Sequence, residues 1–110
     1  PLEALYCVVF PNLMLNLYPD HVQVNVILPD GPERCITRFL WLYPDPAAPG
    51  LEARWRENFE FSRVVQEEDI LLCETVQKHL ASSHYSQGRF SPQRENGVHH
   101  FHGLVAEFLG

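Results

Sequence analysis

The chain has 110 residues, 45% hydrophobic and 20% charged, which suits a globular piece of one domain at most, with enough apolar residues for one modest core. Its 14 acids against 8 bases give a net charge of -6 with His neutral, which opposes the phosphate neutralisation that generic nucleic-acid binding relies on. No apolar run nears the roughly 18 residues a membrane helix needs, and no signal-peptide pattern opens the chain, so neither a nucleic acid nor a membrane is an expected partner, and a soluble, cytoplasmic protein is expected.

In chain order, four strands come first: Leu5 to Phe10, Asn12 to Tyr18, His21 to Leu28 and Arg34 to Tyr43. Turn chemistry separates them at Pro11-Asn12, Pro19-Asp20 and Pro29-Asp30-Gly31-Pro32, and an antiparallel meander is the simplest assembly. Within the third, Val22, Val24, Ile27 and Leu28 only partly alternate with Gln23 and Asn25. A Pro/Ala/Gly loop covers Pro44 to Gly50, after which Leu51, Trp55 and Phe59 recur at helical spacing. A second helical segment is expected from about Ser62 to Ala81, then a loop from Ser82 to Asn96 and a short helix from Val98 to Leu109. Strands first and helices afterwards predict an α+β layout with the helices laid across one face of a curved antiparallel sheet. The aromatics Tyr6, Phe10, Tyr18, Phe39, Trp41 and Trp55 are expected mostly in the core, some of them facing a cavity between sheet and helix.

Cys7, Cys35 and Cys73 are odd in number, and none has a second Cys or His two or three residues away, so they are expected as buried, reduced thiols. One residue breaks the apolar pattern of the second helical segment. An advance of ~100° per residue places Val65, Leu72, Cys73, Val76 and Leu80 on one arc, with Asp69 in its middle. A carboxylate buried there needs a proton, a hydrogen bond, a cation or a metal. The other reading has the helix begin near Asp69, whose side chain then caps the first turn.

Six histidines raise the question of a metal. His79 and His84 would point ~140° apart on a continuous helix, so sharing an ion requires the helix to end between them. His99 and His102 share a helical face, or His100 and His102 a strand face, and packing within the last helix explains that cluster equally well. No GxSxG, phosphate-binding glycine loop or Cys beside a His offers hydrolase or nucleotide chemistry a foothold.

Four blocks in order, Phe10-Pro11-Asn12-Leu13-Met14-Leu15-Asn16, Glu67 to Gln77, Tyr85-Ser86-Gln87-Gly88-Arg89 and Val98-His99-His100-Phe101-His102, are similar to the C-terminal part of the catalytic domain of Rieske-type non-haem iron oxygenase alpha subunits. The chain most resembles the quaternary-ammonium branch of that family, which includes choline monooxygenase. The resemblance implies a helix-grip (START-like) domain, incomplete in these 110 residues, whose curved sheet and long helix enclose a mononuclear Fe(II) held by two histidines and one carboxylate. The acid of the Glu-Glu-Asp block maps onto Asp69 as the iron ligand.

It further implies oxygen insertion from O2 into a small organic substrate, either an aromatic ring or a choline-like cation held by aromatic faces. Electrons would come from a Rieske [2Fe-2S] centre in an upstream domain, fed by a reductase or ferredoxin, in a homotrimer. The family's HxxxxH iron ligands and its Rieske motifs are absent here. His79 and His84 have that spacing but follow the carboxylate, so the ligand role is not carried onto them. Because the chain begins at Pro1 rather than Met, it is expected to be a processed product or part of something larger, inactive alone. The alternative is a stand-alone helix-grip module without catalysis that binds a small apolar or cationic ligand or a partner chain.

Overall fold

The computed structural model describes residues 3–110. Four strands, β1 (Leu5–Val9), β2 (Leu13–Leu17), β3 (Val22–Pro29) and β4 (Cys35–Leu42), form an antiparallel sheet in sequential order. Helices α1 (Leu51–Leu80) and α2 (Asn96–Leu109) follow, so the expected α+β layout is observed. The strand bounds fall within a residue or so of the turn chemistry that predicted them, because the Pro and Gly residues lie between strands or, for Pro29, at a strand end where no ladder bond is needed.

The register sorts the sheet into two unlike faces. Tyr6 faces Asn16, Asn16 faces Gln23 and Gln23 faces Trp41, while Met14 faces Asn25 and Asn25 faces Phe39. Successive residues of a strand point to opposite faces, so these side chains share one surface with His21 and Thr37. The other surface carries Leu5, Leu15, Leu17, Val22, Val24, Val26, Ile36, Leu40 and Leu42, interrupted by Cys7 and Arg38. The helix covers the first of these. Gln23 Nε2 donates to Ser62 Oγ at 3.0 Å, Asn58 Nδ2 donates to the Tyr43 hydroxyl at 2.9 Å, and the Trp41 and Phe59 rings meet edge-on at 5.7 Å. The covered side is therefore the polar and aromatic one, and the apolar side has no cover among the described residues: Ile36, Leu40 and Leu42 are 52%, 51% and 55% exposed.

Two sequence expectations need correction. The helical segments Leu51–Phe59 and Ser62–Ala81 are one continuous helix of 30 residues, because nothing between them breaks it and Arg63 pairs with both Glu60 and Glu67 along its surface. A modest core is also not formed: no hydrophobic residue is buried among the described residues, and the buried ones are Asn16, His21, Gln23 and Asn25. At 1.5 Å per residue α1 runs about 45 Å, against roughly 26 Å for the longest strands, so the helix outlasts the sheet and its second half is not enclosed by it. Every residue from Glu67 to Leu80 is exposed.

The aromatics are likewise less enclosed than expected, with Tyr6 65% and Trp55 39% exposed. Cys35 and Cys73 are exposed and Cys7 half-buried, all three free, which corrects the expectation of buried thiols. Cys35 opens the β4 edge of the meander, and Cys73 lies on the exposed second half of α1. α2 reaches back to the β1–β2 turn, where Phe10 packs on Phe101 and Phe108 at 5.5 and 4.9 Å between ring centroids.

Candidate functional site

The layer between α1 and the sheet is built from amides. Asn16 Nδ2 donates to Gln23 Oε1 at 3.4 Å, and Gln23 in turn donates to Ser62, so the strand amides are wired onto the helix. Asn16 Oδ1 and Asn25 Oδ1 are buried without a partner. A buried acceptor left in this way costs about 1–3 kcal/mol, which a well-packed interior would avoid. Phe39 and Trp41, 6.3 Å apart, stand beside these amides on β4. No Lys or Arg occupies this face of the strands: Arg38 belongs to the opposite face, and Arg56 and Arg63 are paired to glutamates on the exposed side of α1.

At one end of the layer the rings of Tyr18, His21 and Tyr43 stack, with His21 between the two phenols at 4.7 and 5.3 Å. His21 Nδ1 lies 2.8 Å from Asp20 Oδ1, and this contact lowers the Asp20 carboxyl below its usual range. Burial and the neighbouring Tyr6 push the Tyr18 phenol up to about 12. This cluster fastens the first half of α1 to the sheet. It was not singled out in the sequence, where an Asp-His pair in a turn is unremarkable.

Asp69 lies on the line of α1 that faces the sheet. Asn58 bonds Tyr43, Ser62 bonds Gln23 one turn on, half-buried Gln66 follows on the same line, and two turns beyond Ser62 that line reaches Asp69. Since Asn58 meets His21 and Ser62 meets Gln23, helix and β3 advance together, and Asp69 comes about one turn past the level of Asn25. The capping alternative fails because the helix has already run for 18 residues at that point. The expected burial of the carboxylate also fails within this chain. Asp69 is exposed, and its apolar neighbours Leu72, Val76 and Leu80 are 64%, 56% and 42% exposed.

The histidines separate into unrelated places. His79 sits in the last turn of α1 and His84 in the following loop. His99 and His102 flank the Phe90 ring edge-on at 5.2 and 5.1 Å, which is the packing role open to them from the sequence, and His100 joins neither contact. Among the described residues no three His, Cys, Asp or Glu side chains gather where one ion could be held. A recess of about 750 Å³ bounded by Tyr43, Ala48, Leu51 and Trp55 opens at the start of α1, some 20 Å along the helix from Asp69.

This combination, a helix carrying a lone acid across an amide-lined sheet, can be set beside known proteins. The family model for the ring hydroxylating alpha subunit (catalytic domain) matches residues 1–110. The chain belongs to that family. Among individual relatives, the choline monooxygenase (chloroplastic) of Arabidopsis thaliana is 42% identical over 103 residues, covering 94% of this chain and 24% of that protein. Those of Amaranthus tricolor and Spinacia oleracea are 32% and 30% identical, covering 97% and 98% of this chain and 24% of each relative. The chain thus spans about a quarter of the length of the curated relatives it matches. No solved structure matches it. No helix among the described residues is long and apolar enough to cross a membrane.

Proposed function

We propose that this chain forms the carboxylate-bearing part of a helix-grip catalytic domain in a Rieske oxygenase, with Asp69 as one of three protein ligands to a mononuclear Fe(II). The reaction is insertion of oxygen from O2 into an organic substrate, with electrons from a Rieske [2Fe-2S] centre supplied by a reductase or ferredoxin, in a homotrimer. The observation that carries the reading is the position of Asp69 in a chain whose whole length matches the family: it continues the sheet-facing line of α1 past a layer of amides and aromatic rings. An iron(II) site of this class takes two histidines and one carboxylate. The described residues fit that set only in its carboxylate, so no step of oxygen chemistry is assigned to them.

The layer also bears on the substrate. On its strand side it offers amide oxygens and π faces and no Lys or Arg, which suits a cation or a neutral ring and disfavours an anion, and Arg54 stands apart at the Asp20–Tyr43 end. The names of the relatives favour the cation, a quaternary ammonium such as choline. Their chloroplastic location makes a plastid the compartment to examine before the cytoplasm. The test is Asp69→Ala in the full-length protein, followed by metal analysis, circular dichroism and O2-dependent product formation. The expected result is a folded protein without iron and without product; full iron occupancy in the variant removes Asp69 from the site.

A further inference from the structure

The amides beneath α1 are connected in one direction. Asn16 gives its N–H to Gln23, and Gln23 gives its own to Ser62, so the free end of the relay is an acceptor, Asn16 Oδ1. Asn25 Oδ1, on the next inward-facing position of β3, is a second acceptor without a partner. The two residues are diagonal neighbours across the β2–β3 ladder, 8% and 5% exposed, and Phe39 stands directly across from Asn25 on β4. An amide oxygen needs an O–H or N–H donor, and the layer supplies none to either atom.

A quaternary ammonium carries no N–H and cannot fill this need. Its natural place is against ring faces such as Phe39 and Trp41. The remaining donor on a choline-like molecule is its hydroxyl. We propose that the Asn25 carboxamide, with Asn16 beside it, accepts the hydrogen bond of the substrate hydroxyl and thereby separates hydroxylated cations from hydroxyl-free ones. The last torsion of an asparagine side chain has a broad well, so the oxygen can turn toward a bound molecule without a change of rotamer at χ1. Asn25 is a specificity residue on this account, and the inference rests on the quaternary-ammonium reading above.

The experiment is isothermal titration of the full-length, iron-loaded protein with choline and with ethyltrimethylammonium, which keeps the cation and lacks the hydroxyl. One hydrogen bond corresponds to roughly tenfold in affinity, so the wild-type protein should prefer choline by about that factor. In Asn25→Leu the preference disappears because choline alone weakens. Asn25→Asp, which keeps an acceptor in the same place, retains it. Asn16→Leu should reduce the preference if Asn25→Leu does not fold. Equal weakening of both ligands in Asn25→Leu, or an undiminished preference for choline, overturns the proposal, since the amide then serves only structure. Equal wild-type affinity for the two cations overturns it while leaving the ammonium reading intact. A wild-type protein that binds neither overturns both.

Discussion

His21 is held by groups from three places: the Asp20 carboxylate beside it, the Tyr18 and Tyr43 rings above and below, and Asn58 from α1. Asn58 also donates to the Tyr43 hydroxyl, so Asn58→Ala removes a half-buried hydrogen bond and should lower stability by about 1 kcal/mol, seen as a fall in Tm with unchanged helix content. Asp20 makes a pH prediction. Its carboxyl is held below the usual value by His21, so the native state favours the ionised form; the contribution is present above the unfolded-state value near 4 and is lost as pH falls through the lower native one. Acid unfolding curves of wild type and Asp20→Asn should therefore converge at low pH and separate above about pH 4, to a small extent because Asp20 is 40% exposed. Curves that separate only in acid would contradict the sign. At this scale the sequence was legible where a residue broke a pattern. Asp69 stood out among Val65, Leu72 and Val76, and its line on the helix is the one that faces the sheet. The amide layer was not legible, because alternation of Gln23 and Asn25 with valines gives the period of a strand but not which face is covered. The cover comes from α1, 39 residues later in the chain at the Gln23–Ser62 bond.

α1 divides into two halves by what it touches. Its first three turns carry Trp55, Asn58, Phe59 and Ser62, all in contact with the sheet or with one another, while the residues beyond Gln66 touch nothing that buries them. Packing of one face supplies most of a helix's stability, and an unsupported stretch depends on local propensity and pairs such as Arg63 with Glu67. In the 110-residue chain the amides of Leu71–Leu80 should therefore exchange with deuterium much faster than those of Arg54–Ser62; equal protection of both halves would show that the second half is held independently of the sheet. The same division explains why the sequence suggested two helices. The charged stretch around Glu60 and Arg63 interrupts the apolar spacing, yet those side chains pair on the solvent side without disturbing the backbone. Strand limits, by contrast, were readable almost to the residue, since Pro19-Asp20 and Pro29-Asp30 end strands by local chemistry alone.

The molecule as a whole exposes more than a finished fold does. Its accessible surface is 9488 Å², whereas a folded monomer of 12.7 kDa exposes about 6200 Å². Its radius of gyration is 17.0 Å, against about 13 Å for a compact chain of this length. Much of the excess lies on the apolar second sheet face and on the exposed Ile70, Leu71, Leu72, Val76 and Leu80 of α1, so the isolated 110 residues should self-associate on a sizing column with light scattering and show no oxygenase turnover. In the full-length protein the same face makes a sharper demand. Leu15 sits at its centre, with Cys7 on β1 and Val24 on β3 directly beside it. If further protein covers this face, as a Leu- and Val-lined surface requires, Leu15→Lys places a charge in an apolar contact and should cost more than about 2 kcal/mol in denaturant unfolding. If the face meets water, the same substitution stays within about 0.5 kcal/mol, as surface changes do. Asn25→Leu, on the opposite face and 10 residues along, should leave the fold largely intact while changing what the protein binds, because its oxygen has no partner among the described residues to lose. The pair of substitutions thus separates the two surfaces of the sheet by outcome, one read in stability and the other in ligand preference.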